Sequence, residues 1–79
     1  MEKRLNQIEK NRDFIVNRIV APNDLKNRLI SFGILKGAKI RVLDHTLKKE
    51  TWEIECEGTK LALRDEEIAS IFVKENISE

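Results

Sequence analysis

Asn23-Asp24-Leu25-Lys26-Asn27-Arg28-Leu29-Ile30-Ser31-Phe32-Gly33-Ile34-Leu35-Lys36-Gly37-Ala38-Lys39-Ile40 reads as a short capped helix that stops at one glycine, turns at a second and enters a strand. Asn23 follows Pro22 and is placed to cap the first turn through its side-chain oxygen, and Asp24 favours the positive end of the helix dipole. Leu25, Leu29 and Phe32 fall at i, i+4 and i+7 and make one apolar stripe, with Lys26, Asn27 and Ser31 turned away from it. Gly33 stands just past the last periodic residue, where a left-handed residue closes a helix, and Ile34 can pack back on the final turn. Gly37 then supplies the positive φ of a tight turn before a strand that starts at Ala38.

Upstream, Leu5 and Ile8 are spaced as one helical turn, and Asn11-Arg12-Asp13 reads as a bend in which Asn11 can take positive φ. Phe14 to Val20 is rich in strand formers. Downstream, Ala38 to His45 is a second strand with Ile40 and Val42 inward and Lys39 and Arg41 outward, and Thr46 to Glu50 is the loop of a hairpin. Trp52, Ile54 and Cys56 then alternate with Glu53, Glu55 and Glu57, the cleanest period-two pattern in the chain. Gly58-Thr59 turns into Lys60 to Arg64, whose Leu61 and Leu63 continue the same core. Asp65-Glu66-Glu67 opens a short helical turn, Ile71 and Val73 complete a last strand, and the stretch 76–79 frays. The expectation is a mainly β fold: about five antiparallel strands with one short α-helix between the first and second, bent into a small barrel that occupies residues 1–79 as one domain.

Seventy-nine residues hold one small core. Fifteen basic and fourteen acidic residues leave a formal charge of +1, so there is no global pull toward nucleic acid or anionic lipid. No apolar run approaches the ~20 residues that span a bilayer, and the polar start Met1-Glu2-Lys3-Arg4 is unlike a signal peptide, so a cytoplasmic protein is expected. The one cysteine, Cys56, excludes an internal disulfide.

The run Leu29 to Ile40 resembles the leucine, hydrophobe, glycine, hydrophobe, glycine, hydrophobe signature of FeoA, the small A protein of bacterial ferrous iron transport. Gly58-Thr59-Lys60-Leu61-Ala62-Leu63-Arg64 followed by Ile71-Phe72-Val73 is similar to that family's closing segment. The resemblance aligns Val16 and Ile19 with an apolar pair of the first strand; these are three apart, so either a bulge intervenes or both faces are partly covered. Three features depart from the family pattern: no proline and glycine near Lys10 and Asn11, a hairpin loop at Thr46 to Glu50 without either residue, and Ile68 in place of a common alanine. The resemblance implies an SH3-like barrel without enzymatic activity that acts by binding FeoB, a membrane transporter with a cytosolic GTPase region. It leaves self-association open. Alternatives with the same fold are a relative of the C-terminal domain of iron-dependent repressors of the diphtheria-toxin-repressor type, which the absence of preceding domains disfavours, and a small RNA-binding barrel.

The residues that could carry chemistry do not assemble a site. His45 is the only histidine and Cys56 shares a face with Trp52 and Ile54, so neither reads as a metal ligand, and no metal or cofactor is expected. Glu53, Glu55 and Glu57 lie ~7 Å apart along a strand, too far to chelate one ion unaided, with Lys39 and Arg41 as cross-strand partners. No nucleophile, base and orienting acid can be combined, so no catalytic residue is assigned. Lys26, Arg28, Lys36, Lys39 and Arg41 would be the basic surface for RNA, but four aromatics, with Trp52 and Phe32 patterned inward, give a poor stacking platform and no nucleic acid partner is expected. The candidate partner-binding residues are Arg28, Leu29, Ile30 and Phe32. The stripe places Leu29 in the core, while Arg28 and Ile30 read as surface positions that can be changed without harm to folding, the alternative for Ile30 being that it packs under the first strand. Gly33, Gly37 and Gly58 are the structural turn residues.

Overall fold

The computed structural model describes residues 2–76. The expected fraying at the C-terminus lies, for residues 77–79, outside the described residues. Six antiparallel strands form one sheet: β1 (Lys3–Arg4), β2 (Phe14–Ile19), β3 (Lys39–His45), β4 (Thr51–Cys56), β5 (Thr59–Arg64) and β6 (Ile71–Glu75), in the order β1-β6-β2-β3-β4-β5. Helix α1 (Asn23–Ser31) connects β2 to β3, and α2 (Asp65–Ala69) connects β5 to β6. The strand absent from the sequence reading is β1, two residues that pair with Val73 and Phe72 of β6 and lead directly into a 3₁₀ turn over Leu5–Gln7. β1 and β5 end the sheet, and α2 packs against the 3₁₀ turn, β4, β5 and β6.

The alternating pattern of β4 sets the core. Trp52, Ile54 and Cys56 are buried and join Leu63 of β5, Ile40 and Val42 of β3, Val16 and Phe14 of β2, and Ile71 and Val73 of β6. Leu5 and Ile68 close the end beneath α2, both without exposed surface; the extra bulk of Ile68 over alanine is core volume here. The bulge in β2 is real: its pairing to β6 shifts register between Val16 and Arg18, which lets Val16 and Ile19, three apart, both contact the core.

The turns show how local chemistry compensates for missing glycine and proline. Asn11 takes φ 60° and its N–H donates to the Val42 carbonyl at 2.7 Å. In the hairpin loop Lys49 takes φ 56°, its N–H donates to the Thr46 carbonyl, and the Thr46 hydroxyl accepts the Glu50 N–H at 3.1 Å. The Trp52 indole N–H donates to the Lys49 carbonyl at 3.0 Å, so the core tryptophan fixes the loop. The β4–β5 turn is Glu57-Gly58, with φ 49° and 82°, one residue earlier than the sequence reading placed it.

Candidate functional site

Helix α1 begins at Asn23, with Pro22 in the N-cap position and no side-chain cap bond, so Asn23 is not the cap that the sequence suggested. The reason is positional: the proline's fixed, extended backbone (φ −58°, ψ 155°) already leads into the first turn, which makes Asn23 the first helical residue. Asp24 turns its carboxylate onto the Leu25 N–H at 2.9 Å. The other end is a Schellman closure. Gly33, at φ 87°, donates its N–H to the Ile30 carbonyl at 2.9 Å, and Ile34 donates to the Leu29 carbonyl at 3.1 Å. Leu29 and Ile34, at the two ends of the second bond, are both fully buried in the core. Gly37, at φ 92°, then turns the chain, and its N–H donates to the Val16 carbonyl at 2.8 Å, which fastens the loop after α1 to β2.

This framework places the four candidate residues differently. Leu29 has no exposed surface and cannot itself touch a partner. Phe32 is half-buried against the core, with the Arg28 guanidinium 5.5 Å from its ring centre. Arg28 is not an inert surface charge: its Nε lies 3.0 Å from Oε2 of Glu67, a buried carboxylate of α2. The expectation that Arg28 can be changed without harm to folding is therefore corrected, because replacing it strands a buried carboxylate. Ile30 is 39% exposed. It forms one wall of a groove between α1 and β2, with Ile19, Ile34 and Leu35 beside it and Lys26 and Lys36 on its rim. Ile19 and Leu35 were not singled out from the sequence as binding residues, and Lys36 entered there only as part of a basic surface for RNA. The signal that could have found the last two is their place in the short loop between Gly33 and Gly37, where Ile34 is buried and Leu35 and Lys36 are left exposed.

The remaining polar groups stay dispersed. His45 stacks obliquely on Trp52 at 4.7 Å, with Nδ1 2.9 Å from the Thr46 carbonyl oxygen. Cys56 is buried, and burial pushes its thiol pKa up, with a smaller push from the Glu57 carboxylate. Among the described residues no group of three histidine, cysteine, aspartate or glutamate side chains converges to hold a metal ion. Arg41 stands opposite Glu55 in the β3–β4 register, yet its guanidinium pairs with Asp13 at 2.8 Å, which corrects the expected ladder partner. Glu57 instead accepts the Lys39 backbone N–H at 3.2 Å. The five basic residues noted in the sequence thus divide among three places: Lys26 and Lys36 flank the groove, Lys39 and Arg41 line a cleft with Asp13, Glu55 and Glu57, and Arg28 is bound to Glu67. They form no continuous track for a phosphate backbone. No helix of the described residues is long and apolar enough to cross a membrane.

Comparison with known proteins places these features in a lineage. A family model described as FeoA domain matches residues 3–75. Two curated relatives, each named "Putative Fe(2+) transport protein A", are 32% identical. The one from Campylobacter jejuni aligns over 69 residues, 87% of this chain and 93% of its own. The one from Helicobacter pylori strain J99 aligns over 76 residues, 95% of this chain and 97% of its own. Among solved structures, an FeoA-like protein from Clostridium acetobutylicum superposes with a TM-score of 0.84 at 22% identity, covering 99% of this chain and 91% of that one. A manganese-dependent transcriptional repressor superposes with a TM-score of 0.87 at 18% identity, covering 95% of this chain and 42% of the repressor. At such identities the structural matches show the SH3-like fold alone.

Proposed function

The chain belongs to the FeoA domain family, and from that premise we propose that it is a cytoplasmic, non-enzymatic binding module that docks on the cytosolic part of the transporter FeoB. The family is one of Fe(2+) transport. The observation that carries the docking reading is the exposed apolar side chain of Ile30 on α1, a helix closed by the Schellman bonds and tied to α2 through the Arg28–Glu67 pair. A preorganised helix loses little entropy on binding, so a modest apolar surface can serve as a specific contact. In this role Ile30 makes the contact, Arg28 and Phe32 pack together at another face of α1, and Leu29 supports the helix from the core.

A non-enzymatic role accords with the chemistry of the side chains. The lone imidazole, His45, is engaged with Trp52 and the Thr46 carbonyl oxygen, and burial pushes the Cys56 thiol pKa up, away from the reactive thiolate. Co-purification of the tagged chain with FeoB from detergent-solubilised membranes tests the reading. Retention of the transporter by the wild-type chain is expected, and its absence under conditions that keep both proteins folded overturns the proposal.

A further inference from the structure

Ile30 and Leu35 are two of the four large apolar side chains left exposed among the described residues, at 39% and 48%, and both line the groove between α1 and β2. Ile19 of β2 and Ile34 lie beside them, so four aliphatic side chains line the groove. The polar lining is Asn17, Arg18, Lys26 and Lys36, with Asn17 and Arg18 both bonded to Glu2. Arg18 is already satisfied by Glu2 at 2.9 Å, whereas Lys26 and Lys36 make no ion pair among the described residues. An aliphatic floor between two unpaired ammonium groups is a complementary surface for one kind of occupant.

We infer that the groove receives an acidic protein segment with aliphatic anchors, its apolar side chains on Ile19, Ile30 and Leu35 and its carboxylates opposite Lys26 and Lys36. The inference rests on the docking reading above and specifies the chemistry of the partner's contacting segment. The buried apolar contact supplies the affinity, and the lysines supply orientation and rate of encounter. Nucleic acid is the weaker occupant, because the groove has no aromatic ring on which a base could stack.

The probe is a synthetic peptide with leucine on one helical face and glutamate on the other, titrated into the isotope-labelled chain and followed by amide chemical shifts. A peptide with every glutamate replaced by lysine is the control. Shifts at Ile19, Lys26, Ile30, Leu35 and Lys36 with the glutamate peptide only are expected, weakening at high salt. The double variant Lys26→Gln/Lys36→Gln should weaken binding about tenfold, and Lys26→Glu/Lys36→Glu should reverse the preference between the peptides. An unchanged thermal midpoint certifies that both variants are folded. Equal response to the two peptides, shifts located elsewhere, or occupation of the groove by single-stranded RNA or anionic vesicles in preference to the glutamate peptide would overturn the inference. So would FeoB capture unaffected by Lys26→Glu/Lys36→Glu. Failure of the wild-type chain to capture FeoB at all is a different result, and counts against the docking reading itself.

Discussion

Arg28 Nε lies 3.0 Å from Glu67 Oε2, so a side chain that is 55% exposed on α1 is anchored to one that is 3% exposed. The other Glu67 oxygen accepts the Arg64 backbone N–H at 2.8 Å, at the start of α2. One buried carboxylate therefore fastens the helix that follows β2 to the helix that follows β5. Removing Arg28 takes away the ion-pair partner of a carboxylate that is otherwise buried. Arg28→Glu should lower stability by roughly 1–3 kcal/mol, and Arg28→Lys by less, since an ammonium keeps a positive charge beside the Glu67 carboxylate. Urea unfolding that shows a lower midpoint at unchanged slope checks this; an unchanged midpoint for Arg28→Glu would mean that Glu67 has another partner.

Gly33 closes α1 at φ 87°, and a Cβ built there meets nothing within 4 Å. The cost of a side chain is thus backbone strain alone. Gly33→Val should cost ~1 kcal/mol or more, and Gly33→Asn distinctly less, because asparagine tolerates the left-handed region. Equal midpoints for the valine and asparagine variants would argue against strain as the cause.

The Cys56 thiol is pushed up by its burial, and its Sγ lies 3.7 Å from the Gly33 carbonyl oxygen. A raised folded-state pKa contributes stability that is intact below the unfolded thiol value, roughly 8.5, and is lost as pH rises through the folded value. Reaction with a thiol-specific disulfide reagent at neutral pH should be slow in the native chain and rapid in denaturant. Rapid native labelling would contradict the burial of Cys56.

Ferrous iron should bind the isolated chain no better than it binds a generic acidic surface, since Asp44 is committed to Lys10 at 3.1 Å and His45 to Trp52. Anaerobic calorimetry measures this. A stoichiometric site abolished by His45→Ala or Cys56→Ser would be the contrary result.

Much of the fold was legible because its signals are local. The closure at Gly33, the turn at Gly37 and the alternation of Trp52, Ile54 and Cys56 each depend on residues within a few positions of one another. What could not be read was set by distant contacts. Lys3–Arg4 becomes a strand only because β6 offers an edge, and two residues carry no periodicity. The Arg28–Glu67 pair and the Arg41–Asp13 pair join residues far apart in the chain, and their sequence neighbours offer equally plausible partners. The candidate site was half visible for the same reason. Ile30 stood off the apolar stripe of α1, but the opposite wall of its groove comes from Ile19, which reaches it only through the bulge in β2.

The docking of α1 on the transporter is tested most directly by quantitative capture of FeoB from solubilised membranes with the wild-type chain and with Ile30→Asp, each first shown to be folded. Ile30 is partly exposed, so the substitution should cost less than ~1 kcal/mol of stability while placing a carboxylate on the aliphatic floor of the groove. Capture by the wild-type chain and its loss with folded Ile30→Asp is the predicted result; equal capture by both would contradict the assignment of this face as the docking surface.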